Sequence, residues 1–422
     1  MKKHKASITL LAIISIVSVP YVVSGGRKSQ VAGHTYYVAT NGSDSNPCSS
    51  SAPCRTLQHA FAIAGPGDTI LIRSGTYAGF KSINHGGSPG TPITIKPDQG
   101  AIVTIDSSIT PEPWPGHRYA VYLADGGASY ITFDGNNGVE NEALRFTTSD
   151  WGTQPGSLDK LWTPKGGTNQ QECQARTAAG ARRGAMYLTW NTSDTIENHP
   201  RGITIRNTRM VDIPSSFIEG ATRNFLFENN HMYNTRDRNV WQQTPYGFYI
   251  AAGDNLVWRG NRIHGLYVGI RTGTPGKAVT NARIENNLIY DNWGKGIFAG
   301  PGFCHASAGG NGILLPYTAD SIVRNNIVWG NRLPGNEGWG EKDYSAWSVV
   351  GIAARGNKVY NNTVFGHGPA YPGYASPEGI SANSGGDVRN NISFDNGIDL
   401  ALNGASESNN LTTTPISSGT GD

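Results

Sequence analysis

This chain of 422 residues carries little charge: 15% of it is Asp, Glu, Lys or Arg, and the formal net charge is +3. A field that weak argues against a strongly charged partner and only mildly favours anionic ligands. Nucleic-acid binding needs clustered Lys and Arg, and beyond the first 28 residues only Arg182-Arg183 and Arg236/Arg238 stand close together. No stretch keeps a 3.6-residue apolar period, which excludes a helical bundle. Beyond the extreme N-terminus no segment could cross a membrane as a helix. There are four cysteines. Cys48 and Cys54 lie close together in Pro47-Cys48-Ser49-Ser50-Ser51-Ala52-Pro53-Cys54, and in an exported protein they are expected to form a loop disulfide. A zinc pair would need two further ligands, and His59 alone does not supply them. Whether Cys173 and Cys304 meet stays open.

The first residues, Met1-Lys2-Lys3-His4-Lys5, are basic, and an apolar run from Ile8 to Val19 follows. That run is too short to span a bilayer, and Val22-Val23-Ser24 offers small residues for cleavage. The expectation is a signal peptide over 1–24 and a secreted or periplasmic domain over 25–422. No integral membrane association is expected, no nucleic-acid partner, and a monomer.

Glycine and asparagine are what the chain has in quantity, with 55 Gly. One phrase recurs: Phe227-Glu228-Asn229-Asn230, Ile284-Glu285-Asn286-Asn287, Val323-Arg324-Asn325-Asn326, Val359-Tyr360-Asn361-Asn362 and Val388-Arg389-Asn390-Asn391. A second phrase precedes the copies at Gly269-Ile270, Gly296-Ile297, Gly312-Ile313, Gly351-Ile352 and Gly379-Ile380. Recurrence about every 20 to 40 residues, with apolar positions alternating at period two, describes a solenoid of short strands. Asn tolerates left-handed backbone angles, and its amide can bond an equivalent Asn one coil above. The predicted fold is all-β, a right-handed parallel β-helix. The alternative is a set of unrelated Asn-rich turns in a β-sandwich.

The opening segment, 36–77, reads as a cap. Leu57, Ala60, Phe61 and Ala64 repeat at helical spacing, Gly65-Pro66-Gly67-Asp68 stops the helix, and Thr69-Ile70-Leu71-Ile72-Arg73 begins the first strand. A solenoid end needs such cover for its core and strand edges. The series Tyr36-Tyr37-Val38…Asn41-Gly42-Ser43-Asp44…Arg55-Thr56-Leu57…Pro66-Gly67-Asp68-Thr69-Ile70…Gly75-Thr76-Tyr77 and Pro92-Ile93-Thr94-Ile95-Lys96 resembles the N-terminal cap of secreted right-handed β-helix proteins. That group includes the pectate and alginate lyases. The resemblance implies the fold and an acidic-polysaccharide lyase. Neither the clustered aspartates beside a lysine of the pectate branch nor the Asn/Glu motif of the alginate branch is legible here, so the reaction must be argued from a site.

Most insertions fall after the Asn-Asn phrase and before the Gly-Ile strand: Tyr233–Gly247, Phe303–Gly310, Leu333–Ser348, Gly366–Glu378, and the longest over 138–184. Loops at equivalent points stack into a wall, and a wall beside the Gly-Ile sheet makes a groove for a polymer. The wall carries Trp151, Trp162, Trp241, Tyr246, Trp339, Tyr344, Trp347, Tyr371 and Tyr374, whose flat faces suit sugar rings. With Ile218, Ile250, Ile270 and Ile297 inward, their neighbours Glu219, Tyr249, Arg271 and Phe298 lie on the groove floor, about 4.8 Å apart per coil. Trp241, Tyr246, Phe298, Trp339, Trp347 and Tyr374 are therefore candidate substrate contacts.

Arg271, Tyr249, Glu219, Asp237 and Arg238 form the candidate catalytic set. Arg271 would neutralise a uronate carboxylate, and Tyr249 would move a proton to or from the sugar. His231 and Arg236 on the adjoining loop could join them, whereas His264, His305 and His367 read as isolated loop histidines. Calcium is a possible cofactor through Glu337, Glu341 and Asp343. Two alternatives stand beside the lyase: a glycoside hydrolase using Glu219 with Asp237, Asp254 being a weaker partner, and a non-catalytic glycan-binding or structural protein.

Overall fold

The structure is a computed structural model that describes residues 33–111, 117–124, 127–149, 182–189, 196–213, 215–235, 241–243, 246–292, 294–300, 303–331, 349–368 and 376–414. The expected signal peptide lies outside these residues. Among them no helix is long and apolar enough to cross a membrane.

Each coil of the right-handed parallel β-helix contributes strands to three faces. The first face holds the Gly-Ile strands, such as Val268–Thr272, Asn311–Leu314, Val350–Ala353 and Glu378–Asn383. Strands leading into Asn-Asn, such as Arg283–Glu285 and Ile322–Arg324, build the second. Those leaving it, such as Leu288–Tyr290 and Ile327–Trp329, build the third, an 11-stranded parallel sheet. The first two faces merge into one 22-stranded sheet because Ile218–Glu228 and Tyr246–Arg259 run unbroken round the corner between them.

The two repeated phrases have separate physical causes. The first Asn of each pair turns the chain with a left-handed backbone, φ 54° at Asn229, 58° at Asn286 and 55° at Asn325, and Gly260 does the same where the pair is Gly-Asn. The second Asn points inward and is buried. Its amide donates to the carbonyl oxygen of its equivalent one coil on, from Asn230 through Asn261, Asn287, Asn326, Asn362 and Asn391 to Asn410, at 2.9–3.2 Å. A buried amide is expensive unless every group finds a partner, and stacking in register satisfies all of them. The Gly of Gly-Ile has a steric cause. A Cβ at Gly269, Gly312 or Gly351 would stand 2.5–2.8 Å from core side chains or from the next coil's backbone. The Ile beside it is fully buried.

The cap forms as expected. The helix Leu57–Ile63 buries Leu57, Ala60 and Phe61, and Thr56 caps its N-terminus by accepting from the His59 backbone N–H. Phe61 stacks on Phe80 at 4.4 Å, and Phe80 on Phe133 at 6.2 Å, so the helix plugs the open end of the core. Cys48 and Cys54 are joined as a disulfide with Cα atoms 4.6 Å apart. His59 lies beside them, but sulfurs bonded to each other are not thiolate ligands.

Two boundaries differ from expectation. Leu144–Thr147, inside the expected insertion 138–184, is a strand of the third face, paired with Val103–Asp106 and Thr208–Val211. Gly294–Gly300 is not a coil strand. It pairs antiparallel with Phe303–Gly309 and parallel with Trp241–Gln243 in a separate three-stranded sheet.

At the last coil Asp399 takes the position that glycine holds in Gly379-Ile380, and its side chain is fully buried. It accepts from Asn396 Nδ2 at 3.0 Å, from the backbone of Thr413 and Thr414 at 2.8 Å each, and from the Thr413 hydroxyl at 2.9 Å. Burial pushes the carboxyl up, but the bonds from Thr414, Thr413 and Asn396 outweigh it and hold the pKa below its ordinary value. A depressed carboxylate stabilises the fold above its unfolded pKa of about 3.9, and that contribution is lost as pH falls through the lower folded value. Asp399→Asn should cost about 1–3 kcal/mol at pH 7. The difference from wild type should shrink below about pH 4. Denaturant midpoints at both pH values check this, and a gap independent of pH would contradict it.

Candidate active site

The register of the first face sets one outward row across successive coils. Lys81 pairs with Tyr122, Tyr122 with Tyr187, Tyr187 with Glu219, Glu219 with Tyr249, and Tyr249 with Arg271. The expected alignment of Glu219, Tyr249 and Arg271 is therefore present. Phe298 is not the next member. Its backbone lies in the three-stranded sheet, and Leu314 takes the register beyond Arg271.

The row is held by contacts across coils. The Lys81 ammonium lies 5.3 Å from the Tyr122 ring centre, and Tyr122 stacks on Tyr187 at 5.1 Å and 15°. Glu219 is 2% exposed and accepts a hydrogen bond from the hydroxyl of buried Tyr119. It is thus a covered carboxylate rather than an open one. Arg271 lies 4.9 Å over the Tyr249 ring and 5.6 Å from that of Tyr246, and its Nη1 donates to the Tyr246 hydroxyl at 2.9 Å.

Tyr246 departs from its expected role. It opens the strand Tyr246–Arg259, is 2% exposed, and packs on Tyr267 and Val268 instead of standing on a loop wall. Burial, offset in part by Arg271, pushes its pKa up to about 12, so it stays protonated at neutral pH. Its hydroxyl accepts from Arg271 and helps to hold the guanidinium in place.

Other candidates fall elsewhere. His231 lies on the third face, in His231–Tyr233, away from the Glu219 row. His264 is no loop residue: its ring stacks between Tyr233 and Tyr290 at 5.2 and 4.6 Å. His367 is buried, its Nδ1 2.7 Å from Asn396 Oδ1 and its Nε2 3.1 Å from Asn331 Nδ2. Asp254 accepts from Thr280 and Asn281 at the corner of faces one and two. Trp241 lies in the strand Trp241–Gln243. Asp237, Arg238, Trp339, Trp347 and Tyr374 lie outside the described residues, as do Arg236, Trp151, Trp162, Tyr344, Tyr371, Cys173 and the acidic trio Glu337, Glu341 and Asp343.

The described ends of the long connections share one corner. Chain leaving the third face at Thr147, Tyr233, Trp329 and Gly368 next joins the first face at Arg182, Tyr246, Val350 and Glu378. The corner borders the row.

Sequence reasoning missed Lys81, Tyr119, Tyr122 and Tyr187. A signal was present, since Ala120-Val121-Tyr122 and Ala185-Met186-Tyr187 occupy the register of Phe217-Ile218-Glu219. Without glycine, those coils do not carry the phrase that marks the others.

Comparison with known proteins agrees with this architecture. Residues 171–301 match the family described as periplasmic copper-binding protein (NosD), which is less than half of the chain. The uncharacterized protein YwoF of Bacillus subtilis (strain 168) is 24% identical over 375 residues, covering 78% of this chain and 75% of its own. Pectate lyase L of Dickeya chrysanthemi is 31% identical over 96 residues, 21% of this chain and 23% of that protein. Among solved structures, a rhamnogalacturonan lyase superposes with a TM-score of 0.50 at 17% identity, covering 90% of this chain and 87% of the other. The chain is thus a right-handed parallel β-helix of the kind found in polysaccharide lyases. Its structural neighbours also include pectate and alginate lyases.

Proposed function

We propose that the protein is an exported enzyme that binds an acidic polysaccharide along the first face and cleaves it by β-elimination. The observation that carries this reading is Arg271, a cation fixed by two tyrosines on the outward row that also holds Glu219 and Tyr249. In this role the guanidinium takes the uronate carboxylate and disperses the charge that develops when the C5 proton leaves. Tyr249, half-exposed one coil away, takes that proton and passes it to the departing glycosidic oxygen. The C4–O bond breaks, and a C4–C5 double bond conjugated to the carboxylate forms. Lys81, at the far end of the row, adds a second positive charge for a polyanionic chain. Export is supported by the Cys48–Cys54 disulfide and by the basic and apolar start of the sequence.

The test is a panel of polyuronates and neutral polysaccharides, each with added calcium and with chelator. The expected result is growing ultraviolet absorbance of the conjugated enoate on uronate polymers alone. New reducing ends without that absorbance would mean hydrolysis, and binding without turnover would mean a glycan-binding protein.

A further inference from the structure

A different group of side chains stands on the third face. His231 and His264 lie on adjacent coils in diagonal positions, His231 pairing with Arg262 and Tyr233 with His264. Their Nε2 atoms share a hydrogen bond at 3.0 Å, which a bound ion would replace. We propose that this pair binds one first-row divalent transition-metal ion, with the two Nε2 atoms as protein ligands.

Three observations support the site. Metal–nitrogen bonds of about 2.0–2.1 Å at adjacent corners of a coordination sphere separate the nitrogens by about 3 Å, as here. The second support lies behind His231, where Nδ1 is 3.6 Å from Glu142 Oε2. A ligating histidine commonly turns its other ring nitrogen to a carboxylate, which fixes the tautomer and raises the basicity of the metal-facing nitrogen. Glu142 is itself anchored by Arg209, through Nε at 2.8 Å and Nη2 at 2.7 Å. The third is preorganisation: His264 is clamped between Tyr233 and Tyr290, so its ring plane is set before any ion arrives.

Charge around the site is compatible with a cation. Arg209 is matched by Glu142, and Arg262 is directed to the Tyr290 hydroxyl at 2.6 Å and over that ring. His231 has 15% of its side chain exposed and His264 is half-buried, so water can complete the coordination sphere. Imidazole ligands bind Cu²⁺ most tightly among these ions.

The experiment is titration of Cu²⁺ and Ni²⁺ into untagged full-length protein by calorimetry, with electron paramagnetic resonance of the Cu²⁺ form. One ion per chain and hyperfine structure from two equatorial nitrogens are expected. His231→Asn and His264→Phe, the latter keeping the ring stack, should each remove that signal while leaving the circular dichroism spectrum unchanged. Glu142→Gln should weaken binding about 10- to 100-fold. Absence of binding by wild type, or equal binding by the His231→Asn/His264→Phe double variant, would overturn the proposal. The polysaccharide reading does not depend on the outcome.

Discussion

Arg271→Ala is expected to lower turnover of an acidic polysaccharide by about a hundredfold or more, a loss of about 3 kcal/mol in transition-state stabilisation. The position alone would suggest an outward side chain that folding barely notices. The contacts say otherwise: the guanidinium covers Tyr249 and donates to buried Tyr246. Its removal should therefore also cost about 1–2 kcal/mol of stability. Arg271→Lys keeps the charge but not the planar fork, and should recover only part of the activity. Tyr246→Phe removes the anchor and leaves the charge, which separates positioning from electrostatics. Initial rates and denaturant midpoints on all three variants check the account. Full activity in Arg271→Ala would place the chemistry elsewhere.

Breaking the asparagine ladder should damage the fold more than any other single change. Asn326→Ala removes the oxygen that accepts from both the backbone N–H and the side-chain amide of Asn287, at 3.0 and 2.9 Å. It also removes the amide that donates to Ile284 O and Asn362 Oδ1. Two buried donors left without an acceptor, each costing about 1–3 kcal/mol, imply a loss of about 3–5 kcal/mol. The break falls mid-solenoid, where coils on both sides depend on it. Asn410→Ala, at the half-exposed last rung, should cost about 1 kcal/mol or less. Equal denaturant shifts in the two variants would remove the ladder from the explanation of stability.

The coil was readable because its two constraints fall on single residue types. Only Gly fits where a Cβ would strike the next coil, as at Gly312 and Gly351, and Asn both turns the chain and completes the ladder, as at Asn325 and Asn326. The helix Leu57–Ile63 and the short Cys48–Cys54 loop were legible for the same reason: each is a local pattern with a local cause. The floor alignment of Glu219, Tyr249 and Arg271 followed from alternation alone.

What escaped depends on contacts between segments distant in sequence. Gly296-Ile297 carries the repeat phrase, yet pairs with Phe303–Gly309 and Trp241–Gln243. Two residues cannot announce which partner they will find. Tyr246 looked like a loop aromatic because nothing near it in sequence shows that Tyr267 and Arg271 cover it. The burial of Glu219 likewise comes with Tyr119, a hundred residues upstream. His367 stands in for asparagine between Asn331 and Asn396, a substitution visible only once the coils are stacked.

The most direct measurement of the central claim is the mass of the products released from a polyuronate. Elimination makes each new non-reducing end lighter by one water than the saturated sugar, and that deficit should be present with wild-type protein and scarce with Arg271→Ala. Saturated ends from the wild type would contradict elimination on this face.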